Sequence, residues 1–146
     1  MADITFEGMD ELIRALDASG KLDDQTVEVI LEAGADVAVE QIRTEIRRSR
    51  YKIAHYAGFV TRSKVKRKKQ TGDPYISVTI NGKTAAGLPR STVAFVLNYG
   101  RREHTNSKGG AIQADYFWTR GTQKAQKTAA AAMEAALEKA IKKEGL

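Results

Sequence analysis

The clearest pattern in the chain is a stripe of apolar positions, three and four residues apart, between residues 24 and 50. This spacing places side chains on one face of an α-helix, because the helix turns once every ~3.6 residues. Asp23 and Asp24 precede the stripe as candidate N-caps. The pattern predicts an amphipathic helix roughly 40 Å long. So small a domain cannot cover the whole helix, and we therefore expect part of its length to pack on something else. The stripe consists of Val27, Ile30, Leu31, Gly34, Ala38, Ile42 and Ile46.

Helical spacing also occurs near both ends of the chain. Residues 3–6 alternate as a short strand, and Met9, Leu12, Ile13 and Leu16 then predict a first helix that stops at Gly20. A last helix is predicted over about residues 119–143, where alanines dominate the apolar stripe and permit close approach to another element. That stripe consists of Ala125, Ala129, Ala132, Met133, Ala136, Leu137, Ala140 and Ile141.

Three stretches in the middle of the chain alternate with a period of two, which is typical of strands. They cover residues 56–65, 76–80 and 92–99. Asn81 and Gly82 after the second stretch suit a tight hairpin turn. The third stretch has apolar residues on both faces and predicts a central strand.

The predicted elements follow the order β-α-α-β-β-β-α. This order indicates one α+β domain over residues 1–146, in which a long helix and a C-terminal helix pack on a small antiparallel sheet of about four strands. The chain has no internal repeat and no linker that would divide it.

Charge is distributed very unevenly along the chain. The formal charge of +6 is the sum of −9 over residues 1–42, +10 over residues 43–69 and +5 over residues 70–146. A basic hairpin or loop is therefore expected to project around residues 59–74. Such polarity indicates a polyanionic partner or a second copy whose acidic end meets the basic segment. The basic tract comprises Arg62, Lys64, Lys66, Arg67, Lys68 and Lys69, and the basic end of the long helix comprises Arg43, Arg47, Arg48 and Arg50.

The basic tract admits three interpretations. Its side chains suit salt-dependent contacts with phosphates, but equally a solvated loop, or protection of a sheet edge against aggregation. No aromatic residue interleaves the tract, so base stacking has little support. The sequence leaves sequence-independent contact with nucleic acid open.

Residues for catalysis or metal binding are scarce. The chain has no cysteine, and its two histidines, His55 and His104, are far apart in the sequence. Residues 107–110 lack the spacing of a phosphate-binding loop. No stretch approaches the ~18 apolar residues of a membrane helix, and the acidic N-terminus does not resemble a signal peptide. We therefore expect no enzyme, no metal site, no cofactor and no membrane partner.

Two stretches resemble a known family. Residues 4–16 (ITFEGMDELIRAL) resemble the opening of phage tail-completion, or head–tail joining, minor structural proteins. Residues 93–100 (VAFVLNYG), followed after a loop by residues 115–120 (DYFWTR) and an Ala-rich helix, resemble the second half of that family. The residues that carry the resemblance are Gly8, Leu12, Phe95, Tyr99, Gly100, Tyr116 and Phe117.

The resemblance implies a non-enzymatic virion protein of a long-tailed phage or prophage. Such a protein assembles as a ring around the DNA conduit at the head–tail junction. Its partners are further copies of itself, portal or adaptor proteins and tail proteins, and it is found in the virion and, during assembly, in the host cytoplasm. A small basic nucleic-acid-binding protein is the alternative hypothesis.

Overall fold

Two long helices form the centre of the computed structural model, which describes residues 20, 22–102 and 110–144. The predicted strand at 3–6 and helix at 9–16, with Gly8 and Leu12, lie outside the described residues. The helices are α1 (Asp24–Arg47), α2 (Arg90–Tyr99) and α3 (Phe117–Glu144), together with a 3-10 helix (Ala54–Phe59). The strands are β1 (Val60–Arg62), β2 (Lys66–Arg67), β3 (Pro74–Tyr75) and β4 (Val78–Ile80).

Helices α1 and α3 pack against each other in antiparallel directions. A Cβ at Gly121 would lie 3.2 Å from the Ile42 Cα atom, and one at Gly34 would lie 2.6 Å from Met133 Cγ. These two glycines allow the helix backbones to approach closely. Helix α1 begins where Asp23 Oδ1 accepts a hydrogen bond of 2.7 Å from the Thr26 backbone N–H, so the predicted N-cap is confirmed.

The buried residues form two clusters along the helix pair. One cluster, around Ile42, Ile46, Phe117 and Trp118, is covered by the 3-10 helix, β1, β4 and α2. The other contains Ile30 and lies where α1 begins and α3 ends, together with Leu22, Val27, Leu31, Ala35, Ile76, Met133 and Leu137. The two helices therefore share one interface with differently built ends.

The strands are short and antiparallel. Strand β1 pairs with β4, with Val60 opposite Ile80, and β2 pairs with β3, with Lys66 opposite Tyr75. Within the described residues these are two two-stranded sheets. The α+β class is thus confirmed, whereas the single larger sheet is not seen, because residues 92–99 contribute no strand to it.

The prediction of a central strand at residues 92–99 is wrong, because these residues belong to helix α2. Its buried residues are Ser91, Ala94 and Asn98, which follow helical spacing. Two of the three are polar, whereas Phe95 and Tyr99 are exposed. On this helix the large apolar side chains are therefore not the buried ones, and their alternation along the sequence wrongly predicted a strand.

Two smaller predictions also need correction. Residues 56–59 of the predicted strand at 56–65 lie in the 3-10 helix, because Tyr56 and Ala57 turn into the core before β1 begins. Gly82 has a positive φ of 84°, yet the turn that it makes does not join two strands. The Arg90 backbone N–H donates to the Gly82 carbonyl, so the chain leads into α2 instead.

Candidate assembly surfaces

The two arginines of the basic tract lie against the acidic face of α1. On β1, the Arg62 Nε atom lies 2.6 Å from Asp36 Oδ1, and Arg62 Nη1 lies 3.7 Å from Glu32 Oε1. Arg67 Nη2 lies 2.9 Å from Asp24 Oδ1. The sequence suggested that the acidic segment meets the basic segment of another copy. At these residues, however, the opposite charges meet within one chain.

The lysines of the same tract lie on a hairpin. Residues 64–75, which include the paired strands β2 and β3, form a hairpin that we call the basic hairpin. Gly72 has a φ of 75°, which helps the chain reverse between the two strands. Across the turn, the Lys68 backbone N–H donates to the Asp73 carbonyl at 2.9 Å. The exposed lysines of the basic hairpin are Lys64, Lys66, Lys68 and Lys69. The tract is thus divided into arginines that hold the hairpin on α1 and lysines that face outward.

The arginines at the end of α1 do not form one surface. Arg43 Nη2 donates to the Val60 carbonyl at 2.9 Å, and its Nη1 lies 2.7 Å from Glu40 Oε1. Arg43 therefore joins α1 to β1, whereas Arg47 is exposed. Arg48 and Arg50 belong to a separate ionic network.

Glu45 is the centre of that network and was not singled out from the sequence. Its side chain is 2% exposed, accepts hydrogen bonds from Lys124 Nζ and, at 3.2 Å, from Arg120 Nε, and lies 3.7 Å from Arg48 Nη1. Burial raises the pKa of Glu45, but the hydrogen bonds and charges of Lys124 and Arg120 outweigh burial and hold this pKa below its ordinary value. The available signal was Glu45's position as the lone acid among residues 43–69.

Asp115 extends the network to the start of α3. It accepts a hydrogen bond of 2.6 Å from Ser49 Oγ and lies 3.4 Å from Arg50 Nε. Arg120 Nη2 lies 3.6 Å from Asp115 Oδ2, so this guanidinium bridges both buried carboxylates. The network fixes the end of α1 to the beginning of α3, which is a structural role.

Asn98 joins residues 93–100 to residues 115–120. This fully buried side chain accepts hydrogen bonds at Oδ1 from the backbone N–H groups of Trp118, at 2.9 Å, and Thr119, at 3.2 Å. Its Nδ2 donates to Thr119 Oγ1 at 3.0 Å. Asn98 therefore supplies from α2 the acceptor that the first turn of α3 requires. A lone polar residue in an apolar stretch was the signal that sequence reasoning missed.

Of the aromatic residues that carry the resemblance, some are exposed and one is buried. Phe95 and Tyr99 are exposed on one face of α2, with their ring centroids 4.8 Å apart. Tyr116 is also exposed and has a φ of 58°, whereas Phe117 is fully buried. Phe117 thus packs in the core, whereas the other three aromatic side chains lie on the surface. Exposed aromatic side chains are enriched in protein interfaces.

Gly100 ends α2 at a point where the chain passes close to itself. Its φ is 79°, and a Cβ there would lie 2.8 Å from the Ile112 carbonyl oxygen and 2.9 Å from the Ala114 nitrogen. Arg101 and Ile112 then exchange two backbone hydrogen bonds of 2.8 Å. Glycine is thus required here by both conformation and space.

In the described parts of the chain, no three His, Cys, Asp or Glu side chains are placed to hold a metal ion. His55 is exposed and contacts the Tyr56 ring edge-on, and His104 lies outside the described residues. Among the described helices, none is long and apolar enough to cross a membrane.

Comparison with protein-family models, with characterised proteins and with solved structures finds no match to this chain.

Proposed function

We propose that this chain is a non-enzymatic phage or prophage structural protein that completes the tail or joins it to the head, as a ring around the DNA conduit. It meets portal or adaptor proteins on one side and tail proteins on the other. It works in the virion and is present in the host cytoplasm during assembly. The family resemblance of residues 4–16, 93–100 and 115–120 motivates this proposal.

The observation that carries the proposal is the basic hairpin. Arg62, just before the hairpin, and Arg67, within it, bind carboxylates of α1 and so attach the hairpin to this helix. Its four lysines are left exposed, where they are suited to meet an acidic protein surface or the phosphates of passing DNA. The exposed Phe95, Tyr99 and Tyr116 provide a second, aromatic contact surface.

Replacement of the four hairpin lysines by glutamine tests the proposal. Lys64, Lys66, Lys68 and Lys69 change together while both arginines stay, so that the hairpin remains anchored. The matched control changes the same number of exposed lysines elsewhere: Lys52, Lys83, Lys127 and Lys142. We expect the hairpin variant, but not the control, to lower the fraction of DNA-filled heads that carry tails when each complements a deletion in the phage or prophage. The measurement is a count by electron microscopy.

Normal numbers of tailed, infective particles after deletion of the gene would refute the proposal. Unchanged joining by the four-lysine variant would remove the hairpin from the mechanism. The alternative function, nucleic-acid binding, predicts something else: the isolated chain retards DNA, and log affinity falls steeply with log salt concentration, by about 0.9 per phosphate contact.

A further inference from the structure

An apolar groove of about 590 Å³ lies between the beginning of α1 and the end of α3. Its floor combines aliphatic residues of α1 with a row of alanines on α3. Val29 lines the groove and is 55% exposed, although it lies within helix α1. The floor and walls include Val29, Ile30, Ala33, Ala132, Ala136 and Ala140.

The edge of the groove on α3 is positively charged. Lys139 and Lys143 both line it, one helical turn apart, and both are exposed. An occupant that is apolar on one side and acidic along its edge would therefore bury Val29 and meet both ammonium groups.

The chain's own N-terminal segment has this chemistry. Residues 9–17 carry large apolar side chains at helical spacing, and their acids at positions 10, 11 and 17 outnumber one base, Arg14. From residue 9 to residue 16 a helix would extend about 10 Å, whereas the α1 wall from Asp23 to Ala33 extends about 15 Å. Large side chains opposite a floor of alanines also match in size, as interdigitating helices require.

Several acids of α1 are already paired within the chain. Asp24, Glu32 and Asp36 of the acidic segment already bind Arg62 or Arg67 in the same chain. A ring also needs a contact between two different surfaces of neighbouring copies, and a groove that receives a neighbour's segment is such a contact.

We propose that the groove between α1 and α3 binds residues 9–17 of a second copy of this chain, with its acids against Lys139 and Lys143. This inference rests on the proposed function, because it supplies the head-to-tail contact of the ring. It is tested on the purified full chain, without particles, so its failure would leave the particle assay of the proposed function unaffected.

The absence of cysteine in the chain allows a direct test. One preparation carries Leu12→Cys and a second carries Ala136→Cys, and the two are mixed and oxidised at high protein concentration. We expect a disulfide-linked pair that contains one chain of each kind. A matched control replaces Ala136→Cys with Lys127→Cys, an exposed position outside the groove lining on the same helix, and is expected to form at least tenfold less.

Charge reversal sharpens the same experiment. Lys139→Glu with Lys143→Glu, added to the Ala136→Cys chain, should lower cross-linking about tenfold, since like charges then face each other. Lys52→Glu with Lys127→Glu changes the net charge by the same amount and should leave the cross-linking yield unchanged.

Three results would overturn the inference. The first is equal cross-linking at position 136 and at position 127. The second is a chain carrying both Leu12→Cys and Ala136→Cys that forms its disulfide internally, even when diluted, because the occupant would then be its own segment. The third is cross-linking that ignores the Lys139 and Lys143 reversal.

Discussion

The two ends of the α1–α3 helix pair are built differently. At one end, where α1 finishes, Ile42 and Ile46 pack with Phe117 and Trp118, and other elements cover them. At the other end a second buried cluster surrounds Ile30, and beside it a row of alanines on α3 leaves a groove. We call these the closed end and the open end. The same helix pair thus supplies a covered core at one end and, at the other, a core with an apolar groove beside it.

The difference shows how one long helix serves two purposes. The sequence predicted that part of α1 packs on something outside the domain, and its open end is the part with exposed apolar surface. Stability is expected to depend on the closed end and association on the open end. The free energies of unfolding of variants at the two ends test this division.

The largest effect is expected for Phe117→Ala at the closed end. Phe117 is fully buried, and its removal leaves a cavity that its neighbours fill only in part. We expect a loss of about 3–5 kcal/mol, measured by urea denaturation. Ala135→Ser on the exposed side of the open end is the control, and a comparable loss there would contradict the division.

Asn98→Ala is expected to cost about 2–3 kcal/mol. It removes the acceptor for two backbone N–H groups at the start of α3 and leaves them without that partner in a buried setting. Tyr99→Ala, on the exposed face of α2, is the adjacent control. Equal losses for both variants would show that Asn98 does not cap α3.

Glu45→Gln is expected to cost about 1–3 kcal/mol near neutral pH, because the carboxylate loses its charged hydrogen bonds to Lys124 and Arg120. The pKa of Glu45 is lowered in the folded chain, so its contribution is present above the ordinary value of 4.5. It is lost as pH falls through the lower, folded pKa.

The difference in unfolding free energy between wild type and Glu45→Gln should therefore shrink as the pH falls below 4.5. The control Glu134→Gln, on an exposed part of α3, should show no such trend. A difference independent of pH would mean that shape, rather than charge, makes Glu45 important.

The smallest effect is expected for Val29→Ala at the open end. Val29 is more than half exposed, and the higher helix propensity of alanine offsets the contact that is lost. The free energy of unfolding should change by less than about 0.5 kcal/mol. A loss above about 1.4 kcal/mol, a tenfold change in the folding equilibrium, would show that Val29 belongs to the monomer's core rather than to an exposed groove.

The long helices could be predicted well from the sequence, because their burial follows their hydrophobicity. Helix α1 was expected at residues 24–50 and is Asp24–Arg47, and α3 was expected at 119–143 and is Phe117–Glu144. Helix α2 was missed because Ser91 and Asn98 are buried while Phe95 and Tyr99 are not. Pro89 before it and Gly100 after it were the better signals, since they are typical of helix boundaries.

The candidate surfaces were predictable as composition but not as contacts. The sequence identified all six bases of the basic tract, yet it treated arginines and lysines alike. Only the fold brings Arg62 beside Asp36, which is 26 positions earlier in the chain. Likewise, the carboxylates of Glu45 and Asp115 are brought to one guanidinium by packing between distant segments, which no local pattern encodes.

The two backbone hydrogen bonds between Arg101 and Ile112 make this the natural insertion point of the molecule. The two ends of the intervening stretch are held together by this closure. Asn98 and Gly100 precede Arg101 in the chain and contact residues that follow Ile112. These contacts therefore do not depend on the length of the stretch between Arg101 and Ile112. An epitope tag or fluorescent label placed between these two residues would leave the helix pair and the basic hairpin unaltered.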